Sequence, residues 1–119
     1  MRRICVMGTG YVGLVSGACF ADFGNAVVCV DIDEDRVDLL RSGSVPIYEP
    51  GLEELVGRNR ERGRLTFSTD VAFAIKSSEI IFICVGTPSL TSGEVDMSYV
   101  HRAAGTIGQY MEDYKIVVN

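Results

Sequence analysis

A doubly wound α/β fold, a single parallel sheet with helices on both faces, is the fold class this sequence predicts. Three observations carry it. Short apolar runs alternate with helical stretches along all 119 residues, the alternation that gives a parallel sheet covered on both sides. The first apolar run enters a glycine turn, Gly8-Thr9-Gly10-Tyr11-Val12-Gly13, which opens straight into a helical stretch. The second ends at an acidic residue, Asp31, 18 residues beyond Gly13. Right-handed crossovers then set the expected strand order at 3-2-1-4-5.

Ile4–Met7 is unbroken and apolar, as a strand buried on both faces should be. Residues 11–23 form the first helix. Its small residues Gly13, Gly17 and Ala21 recur every four positions and share one face. A glycine in a helix interior costs about 1 kcal/mol, so Gly17 implies close packing on the sheet. Gly24-Asn25 stops that helix, and Ala26–Val30 is the second strand. Asp33 is placed to cap the next helix, with Glu34 and Asp35 at its positive end and Ser42-Gly43 at its stop. A loop, Ser44 to Glu49, leads to Pro50, which pre-sets a helix from Gly51 to about Arg62. Leu65–Ser68 alternates as a short strand. Thr69 or Asp70 caps a short helix ending near Lys76. Glu79–Val85 is the fourth strand, broken by Gly86-Thr87-Pro88. After a polar loop at 89–95, Asp96 caps a helix from about Met97 to Met111, and Ile116-Val117-Val118 begins a fifth strand.

The length is that of one domain, and a chain of this size buries roughly two thirds of its unfolded surface. With 47% apolar and 23% charged residues it has the material of a folded core. A net charge of −5 argues against nucleic acid and anionic membrane as partners, since both require basic patches. No apolar run reaches the roughly 18 residues of a membrane span, and the stretch behind Arg2-Arg3 breaks at Gly8, too soon for a signal peptide. A cytoplasmic protein is the expectation. Cys5, Cys19, Cys29 and Cys84 form no C-x-x-C pair and each lies in an apolar run, so they read as reduced, buried, small hydrophobes.

The glycine turn carries the chemistry. Gly8 permits the tight turn, Gly10 lets the backbone approach a pyrophosphate, and Gly13 lets the helix pack on the strand. The first-turn N–H groups and the helix dipole would hold the phosphates. Following a strand, opening a helix and preceding an acidic strand end, the motif reads as a dinucleotide site in a Rossmann-type fold. Asp31 can accept from the hydroxyls of the adenine ribose and would repel a 2′-phosphate, which favours NAD over NADP. Arg36 cuts the other way as a potential 2′-phosphate partner, or is a solvated helix charge. Gly86 and Thr87 lie at the carboxyl end of the fourth strand, beside the point where strand order reverses, and Thr87 has a hydroxyl to offer there. His101, the only histidine, reads as a surface residue. Glu53 and Glu54 point different ways on a helix and are no catalytic pair. No metal-ligand spacing is present. Cys84, one residue short of the crevice, is a poor candidate nucleophile. A set of catalytic residues is missing altogether.

These residues resemble those of a known family. Gly8 to Ala21, Gly-Thr-Gly-Tyr-Val-Gly-Leu-Val-Ser-Gly-Ala-Cys-Phe-Ala, is similar to the opening of the UDP-glucose 6-dehydrogenases. Pro46-Ile47-Tyr48-Glu49-Pro50-Gly51-Leu52 resembles that family's proline-rich loop, and Phe82 to Ser89 its strand-four motif. GDP-mannose 6-dehydrogenases share much of the pattern. The resemblance implies oxidation of the C6 alcohol of a nucleotide sugar, UDP-glucose first among them, to a carboxylate while two NAD are reduced. It implies NAD contacts at Tyr11, Val12, Asp31, Arg36 and Thr87. It implies a catalytic cysteine that forms a thiohemiacetal and then a thioester, carried by a carboxyl-terminal domain beyond Asn119. It implies dimers formed largely through a central helix, also beyond that point.

The expectation is therefore a single NAD-binding domain over residues 1–119, its sheet stopping before a sixth strand, with the central helix and substrate domain elsewhere. Two rivals stand beside it: a non-catalytic nucleotide-binding module, and an enzyme completed by a separate chain.

Overall fold

The structure, a computed structural model, describes residues 1–119. Its elements follow one another as β1 (Arg3–Met7), α1 (Tyr11–Asp22), β2 (Ala26–Val30), α2 (Glu34–Arg41), α3 (Leu52–Glu61), β3 (Leu65–Ser68), α4 (Val71–Ser77), β4 (Ile80–Ile83), α5 (Ser98–Tyr110) and β5 (Ile116–Val118). The five strands form one sheet in the order β3-β2-β1-β4-β5, and every pairing is parallel. This is the predicted order. β1 stands at the centre, with Met7 level with Val30 on one side and Ile83 on the other.

Side chains alternate across the sheet and so divide the core in two. On one face Ile4, Val6, Val27, Cys29, Leu65 and Phe67 meet α1, α2 and α3 through Leu14, Ala18, Val37, Leu40 and Val56. On the other, Cys5, Met7, Val30 and Ile81 meet α4 and α5 through Ala74, Ile75, Ala103 and Ile107. Leu14 and Leu40 have no exposed surface, and burial of such a side chain contributes about 1.5–3 kcal/mol. The helices change face between β1 and β4, which leaves a crevice at the carboxyl end of both strands.

α1 lies close to the sheet because Gly17 has no side chain: a Cβ there would come within 2.6 Å of the Cys29 sulfur. Two helix starts are capped as the sequence indicates. The Asp33 carboxylate accepts from the Arg36 N–H at 3.2 Å, and that of Asp70 from the Phe73 N–H at 3.1 Å, contacts worth about 1 kcal/mol each.

Several boundaries differ from expectation. β4 ends at Ile83, not Val85, because its neighbours end there: Ile83 is paired with Met7, and Val118 reaches only Phe82. One bond beyond, from the Cys84 N–H to the Met7 carbonyl at 2.8 Å, carries the chain out of the sheet. α5 begins at Ser98, with Met97 at the capping position, yet the Asp96 carboxylate still accepts from the Ser98 N–H at 2.9 Å. Only Cys5 and Cys29 are buried; Cys19 and Cys84 are half-buried, and all four are free thiols. Lys115 departs most from its type. Its side chain is 2% exposed, and its ammonium donates to the carbonyls of Ser78 at 2.6 Å and Lys76 at 3.2 Å while pairing with Asp113 at 2.9 Å. It thereby satisfies carbonyls at the end of α4. β5 leaves Ile116, Val117 and Val118 exposed. No helix is long and apolar enough to cross a membrane.

Candidate dinucleotide site

The turn between β1 and α1 is built by contact. Gly8 has φ 108°, and its N–H donates to the Val30 carbonyl at 2.8 Å, tying the turn to the end of β2. A Cβ on Gly8 would stand 2.5 Å from the Cys84 carbonyl oxygen, and one on Gly13 would overlap the Gly8 carbonyl. These two glycines are demanded by the fold itself. Gly10 is different: a Cβ there would meet no atom within 4 Å. The space it would fill belongs to a cleft of about 520 Å³. The first bond of α1 runs from the Leu14 N–H to the Gly10 carbonyl at 2.9 Å, so the N–H groups of Tyr11, Val12 and Gly13 find no acceptor in the chain. Free N–H groups at the positive end of a helix form a site for phosphate oxygens.

The cleft brings together most of the residues named from sequence. Gly8, Gly10, Tyr11, Val12, Asp31, Gly86 and Thr87 all line it, along with Ile32, Cys84 and Tyr99. Gly13 lies behind the turn. A narrower apolar recess of about 210 Å³ continues from it between Ile32, Val71, Val85 and Tyr99. Arg102 also lines that recess, its guanidinium 5.4 Å from the Tyr99 ring centre. Tyr11 does more than line the cleft: its hydroxyl donates to Glu49 Oε2 at 2.9 Å, fastening the proline-rich loop to the start of α1. A larger hollow, about 640 Å³, lies under that loop. Glu49, Glu53 and Glu54 line it, and that charge suits no phosphate.

Asp31 is held at both carboxylate oxygens. Its Oδ2 accepts from the Thr9 N–H at 3.0 Å and from the Thr9 hydroxyl at 2.6 Å, and its Oδ1 accepts from the Asp33 N–H at 3.1 Å. Partial burial by itself would raise the carboxyl pKa; the bonds from Thr9 and Asp33 and the charge of Arg36 outweigh it and hold Asp31 below the usual carboxylate range. Arg36 is no solvated helix charge. Its Nε and Nη2 donate to the Thr9 carbonyl at 2.9 and 2.7 Å, which seats the guanidinium against the glycine turn.

Thr9 is the residue the sequence reading missed. It is fully buried and joins Asp31 to Arg36. Its signal was a hydroxyl between the two leading glycines, where the turn faces the acidic end of β2. His101 is exposed and lines neither cleft. Burial pushes the Cys84 thiol up, and no hydrogen-bonded base lowers it, so it is poorly suited to attack. Cys5, on the buried face of β1, is pushed up to about 12 by burial. Nothing lining the cleft pairs a nucleophile with a base.

Comparison with known proteins bears on what fills this cleft. Residues 2–119 match the model of the NAD-binding domain of the UDP-glucose/GDP-mannose dehydrogenase family. A UDP-glucose 6-dehydrogenase of Bacillus subtilis is 56% identical over 119 residues, which are 100% of this chain and 26% of that protein. Among solved structures, a UDP-glucose dehydrogenase from Pyrobaculum islandicum superposes with a TM-score of 0.87 at 42% identity, over 91% of this chain and 25% of its own. A GDP-mannose dehydrogenase from Pseudomonas aeruginosa gives 0.86 at 42% identity, over 89% of this chain and 24% of its own. The chain thus spans about a quarter of the length of the relatives it matches.

Proposed function

The chain belongs to the UDP-glucose/GDP-mannose dehydrogenase family, and we propose that it is the cofactor-holding domain of a UDP-glucose 6-dehydrogenase. Its match is to the family's NAD-binding domain, so NAD is the cofactor. The residues fit that group. The open space above Gly10 and the unpaired N–H groups of Tyr11, Val12 and Gly13 suit a pyrophosphate. Asp31 offers an ionised acceptor to the adenine ribose, and its charge opposes a 2′-phosphate. The apolar recess beside Ile32 and Val71 has the character of a base pocket. Arg36 steadies the turn through Thr9, while Gly86 and Thr87 close the crevice from β4.

NAD, when bound, takes up hydride from the carbon being oxidised. The proposed overall reaction turns the C6 alcohol of UDP-glucose into a carboxylate, with two NAD reduced and one water supplying the second oxygen. This chain's part is to bind and orient. Residues 1–119 form one domain, and the remaining three quarters of the relatives' length would supply the central helix, the sugar-nucleotide pocket and the catalytic groups. Assembly into a homo-oligomer and a cytoplasmic location belong to the same proposal. Identity of 56% to a UDP-glucose enzyme is the observation that carries the choice of sugar.

The test is a spectrophotometric assay of the full-length protein with NAD and either UDP-glucose or GDP-mannose. Two NADH per UDP-glucose, with little from GDP-mannose, is the expected result. Preference for GDP-mannose would move the protein to the other branch of the family. NADH from neither would return it to a non-catalytic binding module.

A further inference from the structure

Resting on the reading that the cleft holds NAD, we propose that Thr9 is the positioning residue that sets the cofactor preference of the ribose site. A carboxylate oxygen has two lone-pair positions. Both are filled on Asp31 Oδ2, by the Thr9 N–H at 3.0 Å and the Thr9 hydroxyl at 2.6 Å. On Oδ1 one is filled, by the Asp33 N–H at 3.1 Å. A single acceptor position is left, on Oδ1. In this arrangement Asp31 therefore offers a ribose hydroxyl one open position.

Thr9 governs the neighbouring cation as well. Arg36 Nε and Nη2 donate to its carbonyl at 2.9 and 2.7 Å, and Nε stands 3.1 Å from its hydroxyl. The hydroxyl accepts from Arg36 and spends its one proton on Asp31, so it has nothing to give the ribose. Thr9 is 0% exposed, and water does not compete for these bonds. The effect is to hold anion and cation apart. Both are bonded through Thr9, which stands between them, and no direct Asp31–Arg36 ion pair forms. A ribose hydroxyl can donate to the open position on Oδ1. A 2′-phosphate has no proton to donate there and meets an ionised carboxylate that cannot turn away.

Without the hydroxyl, Oδ2 keeps only the backbone N–H, and the carboxylate becomes free to swing toward Arg36. Discrimination then falls although no charge has changed. The test is calorimetric titration of the full-length protein with NAD and with NADP. Thr9→Val should weaken NAD binding by roughly tenfold, because a carboxylate free to swing toward Arg36 no longer holds its open Oδ1 position toward the ribose. NADP should be affected much less, so the preference between the two narrows. Thr9→Ser, which keeps the hydroxyl, should restore the preference, and Thr9→Val should add nothing to Asp31→Ala. Should Thr9→Val fail to fold, Thr9→Ala removes the same hydroxyl and faces the same criterion. An unchanged NAD-to-NADP ratio in the hydroxyl-free variant, or an equal loss in Thr9→Ser, overturns the inference alone. A wild-type protein that binds neither dinucleotide overturns it together with the reading on which it rests.

Discussion

The three glycines of the turn, Gly8, Gly10 and Gly13, do separable jobs, and substitution should separate them. Gly10→Ala places a methyl where no atom lies within 4 Å, and its backbone, φ −72° and ψ −167°, suits alanine. The fold should accept it, with a melting temperature within a degree or two of wild type, while NAD binding weakens at least tenfold because the methyl occupies the pyrophosphate's approach. Gly13→Ala drives a methyl into the Gly8 carbonyl, and overpacking of this kind costs about 1–3 kcal/mol or more. Thermal melts of both variants with and without NAD check the distinction; a Gly10→Ala protein that melts early but binds normally would contradict it. Most of the residues that line the cleft were legible because the motif prescribes them. Thr9 was not, because its importance lies in bonds to Asp31 and Arg36 that form only after β1 and β2 are side by side.

At the scale of elements, the reading succeeded where one force dominated. Apolar runs became strands, and Asp33 and Asp70 became caps because each side chain reaches an unpaired N–H within its own helix. It failed at boundaries that depend on neighbours. β4 stops where β1 and β5 stop, and no local property of Cys84 or Val85 announces that. Nothing in the local sequence marks Lys115 as buried, because its partners, carbonyls at the end of α4, are distant in sequence. The contact of α1 with β2 gives the sharpest test at this scale. Gly17→Ala gains about 1 kcal/mol of helix propensity but sets a Cβ 2.6 Å from the Cys29 sulfur. The clash should win by about 1–2 kcal/mol. In a Cys29→Ala background the same change should become neutral or stabilising, a coupling that a denaturant double-mutant cycle reads directly. Additive costs would show that Cys29 is not what Gly17 accommodates.

For the whole molecule, charge sets the pH response. Asp31 is held low against the effect of its burial by Thr9, Asp33 and Arg36; Asp22 by Asn59 and Arg58; Glu79 chiefly by the Arg3 N–H; and Asp96 by Ser98. A carboxylate whose folded pKa is depressed stabilises the fold above its ordinary value, and that contribution is lost as pH falls through the folded pKa. The melting temperature should be level from about pH 5 to 7 and fall below about pH 4. A decline that begins above pH 6 would point to groups other than these. The doubly wound order places the glycine turn, the end of β2 and the end of β4 around one cleft, and the central claim is that this cleft is an NAD site whose preference rests on Asp31. Calorimetric titration of wild type and Asp31→Ala with NAD and NADP tests it most directly. The account predicts clear preference for NAD in the wild type, and in Asp31→Ala a weaker affinity for NAD with the gap to NADP closed. Equal binding of both cofactors by the wild type, or an Asp31→Ala protein that keeps the wild-type preference, would contradict it.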